Sequence, residues 1–150
     1  MACLANIVYD PTTAVTWATT ANLAMTAMST TNLRNSFTVP ANGKVMVRLV
    51  CTIHGAVTMP SILLGVLQGS TIIGRVSPIG GLKNTAVATA MVTQEATFVV
   101  SGLTPGASLT WDMAYGVETL VASTAIKAGG PNDTTSNNAF GAAIFEIWEA

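Results

Sequence analysis

Hydrophobic and polar residues alternate along several segments of the chain with a period of two residues. In residues 44–53 the alternate positions are Val, Val, Leu, Cys and Ile, and residues 95–101 and 108–115 repeat the pattern. Successive side chains of a β-strand point to opposite faces of a sheet, so this pattern predicts strands with one buried face. No segment combines the 3.6-residue period of an amphipathic helix with capping residues.

Short turn motifs separate these segments. Asn42-Gly43 is a strong hairpin signal because both residues tolerate positive φ, and Gly69-Ser70 predicts a second hairpin. Residues 102–106, Gly-Leu-Thr-Pro-Gly, predict a tight corner. Many short strands joined by turns are typical of a β-sandwich or barrel, so an all-β fold is predicted. The predicted strands are 33–39, 44–53, 62–68, 71–76, 85–92, 95–101, 108–115, 119–128 and 142–148.

The first 31 residues follow a different pattern. Residues 12–31 are rich in Thr and Ala, contain no Gly or Pro, and carry widely spaced large apolar residues. We predict an extended N-terminal arm over residues 1–31 and a β-sandwich domain over residues 32–150. The arm either packs as a strand on its own domain or crosses onto a neighbouring subunit. A loose tail would leave Trp17 and Leu23 without a packing partner.

The last segment, residues 143–148, is apolar on both sides. Phe145 and Ile147 face one way, while Ile144 and Trp148 face the other with Glu146 between them. A strand that is apolar on both faces is normally covered on both faces. The second cover is either the chain's own N-terminal arm or another subunit.

Charged residues are scarce in this chain. They make up 9% of it, with a net charge of −1, whereas about 25% is usual. The basic residues are scattered from Arg34 to Lys127 and form no patch for a nucleic acid or an anionic membrane. No run of about 18 apolar residues predicts a membrane span. So few charges give little protection against association, and we interpret the surface as one that associates with other proteins.

The sequence offers few groups for catalysis or metal binding. His54 is the one histidine, and no Ser lies in the Gly-x-Ser-x-Gly motif of a hydrolase. Asp112 and Glu118 do not stand out as a catalytic carboxylate pair, and Cys51 with His54 is only a fragment of a zinc site. Cys3 and Cys51 are predicted to be free thiols. We predict no enzymatic activity, no cofactor and no metal ion.

Two stretches of the chain resemble a known group of proteins. One is residues 32–49, Asn-Leu-Arg-Asn-Ser-Phe-Thr-Val-Pro-Ala-Asn-Gly-Lys-Val-Met-Val-Arg-Leu; the other is residues 100–106, with the strand 109–115 and the closing segment 144–150. They resemble small virion proteins of tailed bacteriophages, which are jelly-roll modules used as head decoration (cement) proteins, head fibres or tail-tip domains. The resemblance implies a jelly-roll-like antiparallel β-sandwich of about eight or nine strands, assembled as a homotrimer. It also implies a place on the capsid surface of the virion, with the phage major capsid protein as partner.

The expected function is therefore structural. The chain would bind the outer surface of a phage head and stabilise it, without a nucleic-acid or membrane partner. The alternative is a receptor- or glycan-binding domain of a phage tail or head fibre. The residues predicted to form the subunit or capsid interface are Val15, Trp17, Leu23, Met25, Met28, Ile144 and Trp148.

Overall fold

The alternating segments form β-strands. The structure, a computed structural model, describes residues 1–9, 15–16, 23–54, 61–78, 92–118, 127–128 and 143–150. Within these ranges all regular secondary structure is β-strand. The strands are β1 (Cys3–Tyr9), β2 (Val15–Thr16), β3 (Met25–Ala27), β4 (Arg34–Thr38), β5 (Val45–His54), β6 (Ile62–Gln68), β7 (Thr71–Val76), β8 (Val92–Val100), β9 (Ser108–Val117), β10 (Lys127–Ala128) and β11 (Ala143–Glu149).

The strands pair into two antiparallel sheets. The first sheet has the order β1-β11-β5-β8, and the short strands β10 and β2 extend it beside β5. The second has the order β4-β9-β6-β7, and the short strand β3 also pairs with β9. When the eight longer strands are numbered along the chain, these orders become 1-8-3-6 and 2-7-4-5, which is a jelly roll. The predicted antiparallel β-sandwich is confirmed.

The hydrophobic core lies between the two sheets. Val47 and Leu49 of β5 point inward from the first sheet and are fully buried, as the alternation predicted. Trp111 of β9 packs edge-on against Phe37, with ring centroids 4.8 Å apart and an interplanar angle of 72°. The indole Nε1 of Trp111 donates a hydrogen bond to Gln68 Oε1 at 3.0 Å, so its polar edge is satisfied in the core.

The short connections gather at one end of the sandwich. The predicted hairpin turn contains Gly43 at φ 66°, and a Cβ there would lie 2.7 Å from the carbonyl oxygen of Leu103. The amide of Leu103 donates to Gly43 O at 3.1 Å, which ties this turn to the predicted corner 102–106. The chain ends meet here too, because Glu149 N donates to Ala2 O at 2.8 Å.

The described parts of the N-terminal segment belong to the sheets of their own domain. β1 was not among the predicted strands, yet it pairs along its length with β11, and Ile7 and Tyr9 pack against the core. β3 pairs with β9. Of the two placements left open for residues 1–31, the described residues show packing on the chain's own domain.

Leu23 marks the entry of this segment into the second sheet. It has a left-handed backbone, with φ 63°, and its amide donates to Val117 O at 2.8 Å. Its carbonyl oxygen accepts a hydrogen bond from the guanidinium of Arg75. These two contacts fix the backbone just before β3.

Two predicted strands fall mainly outside the described residues. Of residues 85–92 only Val92 is described, and of 119–128 only 127–128; all three belong to strands. Among the described residues, no helix is long and apolar enough to cross a membrane.

Candidate protein-binding interface

The first sheet turns one face to the core and the other away from it. Residues directly opposite each other on paired strands share a face, so the register of β1, β11, β5 and β8 defines the outward set. We call this set the outer face. It consists of Cys3, Asn6, Val8, Met46, Arg48, Val50, Glu95, Thr97, Val99, Ile144, Glu146 and Trp148.

Two apolar rows cross the outer face. In one row Trp148 and Met46 are half-buried, and Val99 beside them is 59% exposed. In the other row Ile144 lies between Val50 of β5 and Val8 of β1, and Val8 is 62% exposed. An antiparallel sheet with a solvated face usually places polar residues on that face. The two rows are apolar on a face where polar residues are expected, and exposed apolar patches of this kind are typical of interaction surfaces.

A charged cluster is centred between the two apolar rows, where Glu146 pairs with Arg48, and it includes Glu95 opposite Val50 in the second row. Arg48 Nε donates to Glu95 Oε1 at 2.7 Å, and Arg48 Nη1 donates to Glu146 Oε2 at 3.2 Å. The indole Nε1 of Trp148 donates to the same Glu146 oxygen at 3.2 Å. The hydrogen bonds that Arg48 donates to Glu95 and, second in effect, to Glu146 raise the pKa of Arg48 above its ordinary value.

The two carboxylates differ in their exposure. The Glu146 side chain is 15% exposed, because Arg48 and Trp148 flank it, whereas that of Glu95 is 43% exposed. Pairing within the face reduces the cost of removing Arg48 and Glu146 from water. This internal pairing is compatible with covering of the face by another protein surface.

The structure separates the residues predicted to form an interface. Ile144 and Trp148 lie on the outer face, as their alternation with Phe145 and Ile147 suggested. Met28 is 6% exposed and packs in the core of its own domain, which leaves it little surface for a partner.

The remaining predicted interface residues belong to the N-terminal segment. Leu23 is 46% exposed, and Met25 is half-buried with its Sδ over Gly116 of the second sheet. Val15 belongs to β2, where its backbone pairs with Ala128. Trp17 lies outside the described residues.

Two other candidates from the sequence have structural roles. Asp112 is buried and accepts two hydrogen bonds from Arg34, from Nε at 2.7 Å and from Nη2 at 2.9 Å. The glycan-binding alternative predicts an exposed aromatic residue at Tyr115, but Tyr115 is 4% exposed and lies in the core. The same alternative also predicts exposed aromatic residues near His54 and residues 132–138, but the side chain of His54 and residues 132–138 lie outside the described part of the chain.

The thiols are free, as predicted, with Cys3 exposed and Cys51 buried. Burial raises the pKa of the Cys51 thiol to about 12. Among the described residues, no group of three His, Cys, Asp or Glu side chains is placed to hold a metal ion.

Sequence reasoning missed the centre of the outer face. Arg48 is 47 residues from Glu95 and 98 residues from Glu146 along the chain, and only the pairing of β5 with both β8 and β11 brings them together. Val99 could have been recognised as an interface residue from the sequence, because it is apolar at a position that the alternation of residues 95–101 assigns to the solvent side.

Searches of protein-family models and of curated proteins find no match to this chain.

Proposed function

We propose that the chain is a structural virion protein, a capsid decoration (cement) protein that binds the outer surface of a phage head and stabilises it. Its partners in this proposal are two further copies of itself, in a homotrimer, and the phage major capsid protein. The observation that carries the proposal is the outer face of the first sheet, where apolar rows with Val8 and Val99 at their ends flank a charged cluster paired within the face.

The dimensions of this face support a docking role. Four neighbouring strands at about 4.8 Å spacing, each about seven residues long at about 3.3 Å per residue, give a flat area of roughly 400 Å². Side-chain relief adds to this area, so the face supplies at least about half of the 800 Å² per partner that specific interfaces bury. Depletion of charge is also typical of interface cores, and this chain has 9% charged residues.

Attachment to phage heads tests the capsid role. Heads are prepared from a phage whose gene for this chain has been deleted, and they are mixed with purified protein. Bound protein is measured by cosedimentation and by electron cryomicroscopy. Wild-type protein is expected to saturate at a fixed number of copies per head. Failure of wild-type protein to bind would contradict the proposal.

Variants of the exposed valines connect attachment to the outer face. The double variant Val8→Thr, Val99→Thr keeps the β-branched shape but adds hydroxyls that a dry interface would leave unpaired. It should bind at least about tenfold more weakly, which corresponds to about 1.4 kcal/mol. Ile72→Thr is the matched control, because Ile72 is 40% exposed on β7 of the other sheet. Equal effects of the two changes would exclude the outer face as the contact.

Solution mass tests the homotrimer. Analytical ultracentrifugation should give three times the chain mass of 15.4 kDa. A stable monomer at micromolar concentration would contradict this part of the proposal and leave the attachment assay to decide the rest.

A receptor- or glycan-binding domain remains the second candidate because of Trp148. Its indole is half-buried on the outer face, bonded to Glu146 and in the neighbourhood of Asn6, which pairs with Glu146 on β1. Indole beside carboxylate and amide groups is suited to a sugar ring. A glycan array distinguishes the candidates: binding that Trp148→Ala abolishes favours this second function, and an array without binding removes it.

A further inference from the structure

The charged cluster on the outer face is not electrically balanced. Arg48 supplies one positive charge, while Glu95 and Glu146 supply two negative charges. Glu146 is held by Arg48 and by Trp148, and it is the less exposed of the two carboxylates. The surplus charge is therefore presented at Glu95, which pairs with Val50 and ends the second apolar row at β8.

Among the described residues, no cation other than Arg48 forms an ion pair with Glu95 or Glu146. Lys44 precedes Arg48 by four residues, about 13 Å along the strand, and Lys127 pairs with His54, six residues beyond Arg48 and about 20 Å away. Both separations exceed the screening length of roughly 8 Å at physiological salt. Arg34 is bound to Asp112, and Arg75 donates to Leu23 O.

This imbalance restricts what can cover the face. An uncharged apolar surface would bury the Glu95 carboxylate with only half of the Arg48 charge to compensate it, which is costly. A second copy docked by the same face would place one surplus carboxylate opposite another. A cation on the partner, directed at Glu95, removes both difficulties and completes an alternating cluster of two positive and two negative charges.

We propose that the partner of the outer face is a protein surface that presents one Lys or Arg side chain, set in an apolar surround, against Glu95. The inference rests on the proposed docking function of this face and adds the chemistry of the surface that it meets. It also makes contact between the outer faces of two copies unfavourable, so the subunits of a homotrimer would meet through other surfaces.

The variant Glu95→Gln tests this proposal, because the proposal and its alternative predict opposite changes in the strength of attachment. Glutamine keeps the size of the side chain and an oxygen for Arg48 Nε, but it removes the surplus charge. Attachment to heads that lack the protein should weaken about tenfold, because the partner's cation loses its counter-charge. Tighter attachment of Glu95→Gln would overturn the proposal, because that result is expected of an uncharged partner.

Glu149→Gln is the matched control. It makes the same change in net charge at an exposed residue at the end of β11, outside the outer face. Attachment should change less than twofold. An equal loss in both variants would mean that only the overall charge matters, and it would also overturn the proposal.

A probe that needs no phage separates this inference from the proposed function. 2-Naphthylmethylammonium and its uncharged analogue 2-naphthylmethanol are titrated into the labelled protein, and amide shifts are followed by NMR. The cation should bind about threefold more tightly, with the largest shifts around Arg48, Glu95 and Trp148, a preference expected of one partly exposed ion pair. Glu95→Gln should remove the preference and Glu149→Gln should keep it.

The outcomes are distinguishable. If wild-type protein fails to bind heads but the probe shows the charge preference, the capsid role fails while the cation-selective face stands. If heads bind but the alcohol binds as well as the ammonium probe and Glu95→Gln attaches normally, the capsid role stands and this inference fails.

Discussion

Ile147 and Ile144 lie three residues apart on β11 but on opposite faces of the first sheet, so replacing each with Ala should have very different effects on stability. Ile147 is fully buried in the core, whereas Ile144 is half-buried on the outer face. Ile→Ala removes three carbons, worth about 2.4 kcal/mol in transfer free energy. At Ile147 the cavity left behind raises the cost to about 3–4 kcal/mol. At Ile144 water fills the space and only part of the transfer term is lost, about 1 kcal/mol or less.

Urea denaturation followed by tryptophan fluorescence and circular dichroism measures both changes. With an m-value of about 2 kcal/mol/M, Ile147→Ala should lower the midpoint by roughly 1.5–2 M and Ile144→Ala by less than about 0.5 M. Similar large losses for the two variants would mean that the outer face is covered in the isolated protein. That result would refute the assignment of this face to an external partner.

Three further predictions concern the thiols and the short turns. Cys3 should react readily with a thiol reagent at pH 8, whereas Cys51 should react only on unfolding. Because burial raises the pKa of Cys51 from 9.0 to about 12, this thiol has no effect on stability below about pH 9. Between pH 9 and 12 the unfolded state loses the proton first, so the free energy of unfolding should fall by at most about 1.4 kcal/mol per pH unit, a slope that Cys51→Ala removes in urea titrations. Gly43→Ala should destabilise the domain by at least about 1 kcal/mol more than Gly69→Ala in the same assay. Both glycines have positive φ, but of the two only Gly43 has a backbone oxygen 2.7 Å from the position of an added Cβ. Equal losses of stability in the two variants would contradict this prediction.

The alternation of residue types was sufficient to predict the central strands and their turns. The buried set of β5 and the Asn42-Gly43 hairpin follow from period two and from a residue pair that accepts positive φ, and both are local properties. Strand ends were less predictable. β8 begins at Val92, three residues before the predicted start at residue 95, because pairing with β5 extends the strand through Gln94, whose buried side chain breaks the apolar alternation.

The strand β1 was missed for a different reason. Ala5, Ile7 and Tyr9 do alternate with Asn6 and Val8, but Val8 is apolar although it is 62% exposed, which obscures the pattern. Whether such a segment is a loose arm or an edge strand depends on an available partner strand, and β11 is supplied from the other end of the chain.

The same limit applies to the candidate site. Ile144 and Trp148 were placed on one side of a strand by local alternation, and this proved to be the outer face. The charged cluster could not be predicted, since it depends on which strands become neighbours. The sequence shows three scattered charges, and only the jelly-roll order turns them into one unbalanced group.

The hydrogen bond from Glu149 N to Ala2 O places residues 2 and 149 side by side. A polypeptide of residues 1–150 with a short linker from Ala150 to Met1 can therefore be opened at the exposed Gly69-Ser70 turn without disturbing either sheet. In such a rearranged chain β1 and β11 become one continuous hairpin, while the order of strands across the outer face stays the same. The surface chemistry of this face is therefore independent of where the polypeptide begins, which allows a peptide or reporter to be fused on the β6–β7 edge of the opposite sheet.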